Sequence, residues 1–261
     1  MKPCVIYTSL TGGYDPLLQP AVTDPDFDYV CFSDDFRQER VGVWEIRPIP
    51  FRHPDALVRS RYAKLQPHEV LPEYACSLWM DANIRITAPA FYDLVRLQMK
   101  RGALSAHVNH VHEKRDCVYD EIETCLRYGK IGLRDALRQY ARLRKAQYPR
   151  HQGLFENNLL FRRHNEPFIR DLDDRWWAEF LQYAHRDQFS LNFLCWQAGY
   201  VPALLLPADK CVRNVPYLEY VLHPKETAAP GLADKVQIKL VRPAASAVYK
   251  LVTGIQEGSW K

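Results

Sequence analysis

The sequence predicts an α/β fold with a mixed, mostly parallel sheet flanked by helices. Three observations carry that prediction. Short apolar runs alternate with helical patterns along the chain, which is the order of a parallel sheet with crossover helices. One run, Ser77-Leu78-Trp79-Met80, ends in Asp81-Ala82-Asn83-Ile84, the pattern of a buried strand delivering oxygen ligands at its tip. With 261 residues, 47% of them in the hydrophobic set, the chain can bury a full core.

Cys4 to Thr8 is the first strand, followed by a loop, Leu10 to Pro16, whose glycines Gly12 and Gly13 permit close backbone approach. Tyr29 to Phe32 is the second strand, closed by Ser33-Asp34-Asp35, and Trp44 to Ile49 the third. Leu57, Val58, Tyr62 and Leu65 recur at helical spacing between Asp55 and Glu69, until Leu71-Pro72 stops the helix. After the Asp81 strand, Pro89 opens a helix running to about Lys100, Gly102 ends it, and Ala103 to Asn109 is a fifth strand. Asp116 to Tyr128 and Leu133 to Tyr148 are helices, and Leu154 to Arg163 is a strand. Asp171 to Tyr183 is a core helix, and Arg186 starts another through Trp196. Residues 1–224 make one domain, with 225–261 a weakly patterned, peripheral C-terminal extension.

A formal net charge of +4 is too mild to demand a nucleic-acid partner, although it suits a phosphorylated substrate or an anionic membrane. The helix bearing Arg134, Arg138, Arg142 and Lys145 offers either a solvated face or one for peripheral membrane or acidic-glycan contact. Seven scattered cysteines, none spaced Cys-x-x-Cys, indicate neither a zinc knuckle nor a disulfide framework, so a reducing, cytoplasmic setting is expected. No stretch reaches the roughly 18 apolar residues of a membrane span.

Side chains two apart on an extended segment point the same way, so Asp81 and Asn83 are candidate metal ligands for Mg²⁺ or Mn²⁺. Arg61 and Lys64 lie one helical turn apart and can both face a diphosphate, Arg in fork geometry and Lys as a compact charge. His107, His110, His112 and His223 are possible additions to a metal shell or contacts to an acceptor.

Arg59 to Lys64, Leu71-Pro72-Glu73-Tyr74 and the Asp81 segment resemble the helix, Leu-Pro and Asp-x-Asp strand of nucleotide-sugar glycosyltransferases with the GT-A fold. More closely, Thr11-Gly12-Gly13-Tyr14-Asp15, His112 to Glu121, Gly153 to Asn158 and Arg186 to Ser190 resemble a glycosyltransferase-like family long catalogued as a domain of unknown function. Its members occur in bacterial polysaccharide loci and among plant Golgi proteins linked to mucilage and pectin. The likeness spans roughly residues 3–215. It implies transfer of a sugar from a nucleoside diphosphate sugar donor to a glycan or polysaccharide acceptor, in surface or capsular polysaccharide synthesis, assisted by a divalent cation.

The resemblance also implies roles. Tyr7, Thr8, Gly12 and Gly13 match the nucleotide-facing first turn, and Asp34 can accept from base or ribose. Arg115, Asp116 and Tyr119 belong to the most recognisable cluster, with Arg115 and Tyr119 as i,i+4 neighbours on a helix. Glu156 and Asp187 are candidates for the general base or the group facing the anomeric carbon, a task suited to a carboxylate with a raised pKa, although Asp187 also fits a helix N-cap. His112, Asp116, Tyr119, Asn158 and Gln188 are candidate substrate contacts. Asn83 replaces the second acid of the usual motif and supplies an uncharged oxygen, which weakens attraction for a cation. Two other readings remain: a sugar nucleotidyltransferase, disfavoured by the lack of Lys or Arg in the Thr11 to Asp15 loop, and a catalytically silent glycan-binding or scaffold relative.

Overall fold

β1 (Cys4–Leu10) has no exposed residue, as expected of a strand covered on both faces. In the computed structural model, which describes residues 3–111, 115–223 and 237–254, it is an inner strand of an eight-stranded sheet. β2 (Phe27–Ser33) pairs parallel on one side of β1, and β3 (Arg40–Val41) and β4 (Trp44–Arg47) extend that edge as a hairpin. β5 (Cys76–Met80) lies parallel on the other side. Beyond it come β8 (Phe155–Arg162), antiparallel to both neighbours, then β7 (Ser105–Asn109) and β9 (Ala203–Leu204). The order is β3-β4-β2-β1-β5-β8-β7-β9. The connection order reverses between β1 and β5, which opens a crevice at the carboxyl ends of those strands.

Alternation along β1 divides the core. Val5 and Tyr7 face a cluster with Trp79, Trp176 and Phe180, built by α1 (Ala56–Leu65) and by α4 (Val118–Arg127), α5 (Leu133–Lys145), α6 (Pro167–Gln182) and α7 (Leu191–Gln197). Cys4 and Ile6 face Leu78, Phe91 and Tyr92 under α3 (Ala90–Arg101). All seven cysteines are buried and free. Among the described residues no helix is long and apolar enough to cross a membrane.

Several boundaries differ from expectation for local reasons. The helix expected from Asp55 to Glu69 breaks at Gln66, because Pro67 has no N–H to continue it and starts the short α2 (Pro67–Val70) instead. The helix expected from Arg186 begins as a 3-10 turn, Asp187–Phe189. The stretch beyond 225 contains a helix, α8 (Arg242–Thr253), whose Tyr249 is buried in the first core cluster.

Two histidines are locked into the interior as neutral rings. His164 Nε2 lies 2.9 Å from the Leu71 carbonyl, which can only accept, so Nδ1 is left to accept from Ser77 Oγ at 2.9 Å. Burial pushes its pKa down to about 4, and burial with the nearby Arg162 pushes that of His107 down to about 3. In the unfolded chain both rings take up protons below about pH 6.5, so unfolding binds protons there and stability falls as the pH drops from about 6.5 toward 4. The slope should reach about 1.4 kcal/mol per pH unit for each ring. Urea denaturation across that window should show the decline, and His107→Gln should make it shallower. A flat profile would contradict the neutral buried rings.

Candidate active site

β5 ends at Met80 because the chain turns there: Ile84 N–H donates to Asp81 O at 3.0 Å, and β6 (Ile84–Ile86) leaves the main sheet to pair with β10 (Leu218–Tyr220). The extended geometry expected for Asp81 and Asn83 is therefore replaced by a turn. Asp81 stays at the sheet edge, its N–H donating to Asn158 O at 2.9 Å. Its Oδ1 accepts from Trp79 Nε1 at 2.7 Å and from Lys64 Nζ at 3.4 Å, and about a third of the side chain remains exposed. Asn83 is buried, with Nδ2 donating to Val221 O at 2.9 Å and lying 3.5 Å from His223 Nε2. Asp15, half-buried at the end of the glycine loop, accepts from His223 Nδ1 at 2.7 Å.

Asp81, Asn83 and His223 could hold a divalent cation. Asp15 accepts from His223 Nδ1, the arrangement in which a carboxylate orients a metal-binding imidazole, and Nε2 faces Asn83. A carboxylate oxygen, an amide oxygen and an imidazole nitrogen suit Mn²⁺ or Mg²⁺. A second donor group, Cys117, Asp120 and His151, brings its atoms within 4.8 Å of one another, yet Asp120 is already paired with Arg150 and His151 with Asp116.

Beneath Asp81 runs a line of alternating buried charges. Lys64, only 2% exposed, places Nζ 2.6 Å from Asp187 Oδ2, and Arg61 Nε approaches the same oxygen at 3.9 Å. Arg61 and Lys64 thus converge on one anion as their spacing predicts, but that anion is a side chain of the protein. Arg186, half-buried, feels both Asp187 and Glu121, and Arg115 Nε pairs with Glu121 at 3.0 Å. Burial alone would raise the Asp187 carboxyl; Lys64, Arg61 and Arg186 outweigh it and hold it far below the usual carboxylate range. The raised pKa that a general base needs is absent, so that expectation for Asp187 is corrected: it anchors cations.

The glycine loop is also engaged. Gly12 and Gly13 adopt left-handed backbone, and their N–H groups donate to Asp35 at 2.9 Å each. These amides therefore bind a carboxylate of the protein in place of an incoming phosphate. Asp34 receives Arg59 at 3.5 Å and keeps an exposed face. Tyr7 and Thr8 are not nucleotide-facing, because both are buried within β1. The Tyr7 hydroxyl accepts from Arg162 Nη2 at 2.7 Å, and burial raises its pKa to about 12.

Glu156 and Asn158 lie two apart on β8, beside Asp81. Asn158 Nδ2 donates to Glu156 Oε2 at 2.8 Å, and Arg213 Nη1 approaches both carboxylate oxygens at 3.2 and 3.0 Å. Gln188 ties the Asp187 turn to this strand through Phe155 O at 2.9 Å. Arg213, Asp15 and Trp79 were not anticipated as site residues; Asp15 had a signal, an acid two residues past paired glycines, and Arg213 had none.

The remaining cluster is tied to its own neighbours. α4 begins only at Val118, so Arg115 precedes it and is not an i,i+4 partner of Tyr119, which is buried with its hydroxyl donating to Tyr148 O at 2.7 Å. Arg115 Nη2 lies 3.0 Å from His110 Nε2, and Asp116 is exposed beside His151. His107 is a core residue. His112 lies outside the described residues.

The fold and its edge define an α/β protein with polar and charged side chains gathered at a sheet switch point. The chain belongs to the family described as TOD1/MUCI70, glycosyltransferase-like domain, whose profile matches residues 8–210. No protein of curated function matches the sequence. Solved structures similar to it include the bifunctional glycosyltransferase WbbM without ligand, at 12% identity and a TM-score of 0.43. This chain aligns over 78% of its own length there and spans 38% of that protein. Mouse xyloside xylosyltransferase 1 aligns at 10% identity and a TM-score of 0.46, over 87% of this chain and 99% of that one. The galactosyltransferase LgtC, solved with donor and acceptor sugar analogues, aligns at 10% identity and a TM-score of 0.45, over 97% and 98%.

Removing one partner of the buried pair should destabilise the fold by about 3–5 kcal/mol, whether by Lys64→Met or Asp187→Asn. The double variant should lose less than the two single losses combined, by about 1 kcal/mol or more. Denaturant unfolding of all four proteins closes the cycle, and additive losses would refute the contact.

Proposed function

We propose that this protein transfers a sugar from a nucleoside diphosphate sugar to a glycan acceptor, with Asp81 at the centre of the donor site. The observation that carries the reading is Asp81 at the tip of β5, held by Lys64 and followed two residues on by Asn83, which lies against the Asp15-oriented His223, in a chain of a glycosyltransferase-like family. Surface or capsular polysaccharide is the proposed destination.

In the reaction the bond from the anomeric carbon to the diphosphate breaks while an acceptor oxygen bonds to that carbon and loses its proton. Negative charge grows on the departing diphosphate, and stabilising it is the larger electrostatic demand. A divalent cation held by Asp81, Asn83 and His223 would supply the opposing positive charge when bound. Lys64 and Arg61 add positive potential from below the carboxylate. Glu156 is the carboxylate proposed to face the anomeric carbon or take the acceptor proton, since the Asp187 carboxyl is held ionised by its cations and is a poor base. Asn158 and Arg213 orient Glu156.

The silent-relative reading is favoured by one feature: Asn83 brings no charge and gives its amide hydrogens to the Val221 carbonyl. Incubating the protein with a panel of nucleotide sugars, with and without Mn²⁺, tests the proposal. Nucleoside diphosphate should be released, and Asp81→Ala should abolish release while the protein, though less stable for losing a partner of Lys64, still unfolds in a single cooperative transition. Glu156→Gln should lower kcat by about 10²–10⁴-fold, with nucleotide binding retained. Nucleotide binding without release would favour the silent relative, and pyrophosphate release would favour the nucleotidyltransferase.

A further inference from the structure

Helix α8 is built inside out. Its polar residues Arg242, Ser246, Lys250 and Thr253 recur at spacings of four, four and three, which puts them on one face, and that face meets the protein. Ser246 Oγ donates to Glu123 Oε1 at 2.7 Å, Lys250 Nζ lies 3.7 Å from the same oxygen, and Tyr140 donates to the Thr253 carbonyl at 2.9 Å. Arg242 lies against Gly129, where a Cβ would collide with its guanidinium. The opposite face carries Val241, Ala244, Ala247, Val248, Leu251 and Val252, all exposed, with Leu251 at 85% and Val252 at 64%. In the preceding turn, Leu240 is 66% exposed. A helix with its apolar face in water is the reverse of the ordinary surface helix and marks a surface meant to be covered.

Charge around the patch narrows what covers it. Residues 237–254 contain no acidic residue, and Arg127, Lys130, Arg144 and Lys239 are exposed around the helix and the α4 and α5 segments it packs on. Glu123, the acid facing α8, already pairs with Lys250. A second copy meeting this face across a two-fold axis would bring basic residues against basic residues. An anionic bilayer offers apolar depth and opposite charge together.

We propose that the outer face of α8 docks the protein on an anionic membrane surface, the Val248 to Val252 stripe entering the interface and Arg127, Lys130 and Lys239 meeting lipid headgroups. This inference stands independently of the transferase reading. Its test is co-sedimentation of the full chain with vesicles of phosphatidylcholine alone or containing about one third phosphatidylglycerol. Anionic vesicles should bind at least about tenfold more protein, and raising the salt should release it. The exposed double variant Val248→Gln/Leu251→Gln should lower partitioning about tenfold without changing the unfolding midpoint, and Arg127→Glu/Lys130→Glu should weaken it severalfold. Pelleting that ignores anionic lipid, or that neither variant reduces, would overturn the proposal. So would a dimer in light scattering that Val248→Gln/Leu251→Gln converts to monomer while vesicles bind nothing.

Discussion

A buried ammonium group must be paired, and that requirement at Lys64 organises the carboxyl edge of the sheet. With 2% of its side chain exposed, Lys64 cannot use water to offset the loss of hydration, so Asp187 and Asp81 have to stand where they do. The three residues come from α1, the 3-10 turn and the tip of β5, elements far apart in the chain. The indole of Trp79 completes the arrangement, with Lys64 Nζ 5.1 Å from its ring and Nε1 donating to Asp81. One carboxylate oxygen of Asp81 is thereby fixed in position, which is what a residue presenting its other oxygen to a ligand needs.

The same economy governs the glycine loop. Consecutive left-handed residues turn their N–H groups to one side and form an anion-binding concavity. Here Asp35 fills it from the end of β2, and Thr11 ties the loop to α1 through the Ala56 carbonyl at 2.9 Å. The loop is held in shape by an internal anion, so its contribution to a nucleotide site would be form and Asp15, not free amides. Asp15 then reaches His223 across more than two hundred residues of sequence.

Much of the fold was legible because buried parallel strands announce themselves as apolar runs, and β1, β2 and β5 all did. The convergence of Arg61 and Lys64 was legible from helical spacing, but its target was not, since nothing local says that residue 187 lies under residue 64. Asp187 shows the limit most plainly. A buried acid in sequence terms suggests a raised pKa, and only the neighbours, three cations from two elements, reverse the sign. Tyr7 and Thr8 were misplaced because the likeness of a first strand to a nucleotide-binding turn does not say where the strand ends; here it runs two residues further than expected, to Leu10. α8 was missed for the opposite reason: its polar residues face the protein, so its periodicity does not look like that of a helix lying on a core.

Asn83 changes the electrostatics of the site more than its chemistry. Arg115, Glu121, Arg186, Asp187, Lys64 and Asp81 alternate in sign, and a line of that kind ends close to neutral. Arg61 and Asp15 at its flanks again offset each other. A second acid in place of Asn83 would leave surplus negative charge that only a bound cation could relieve, repelling a diphosphate whenever the cation was absent. With asparagine there, the polypeptide balances itself and the surplus arrives with the ligand. A cation would then bind chiefly together with the diphosphate, as a shared partner of Asp81 and phosphate oxygens, which is the way Mg²⁺ is commonly held by one or two carboxylates and a substrate. On the proposed transferase reading, the neutral side chain therefore argues for coupled binding of metal and donor, and against a metal resident in the empty protein.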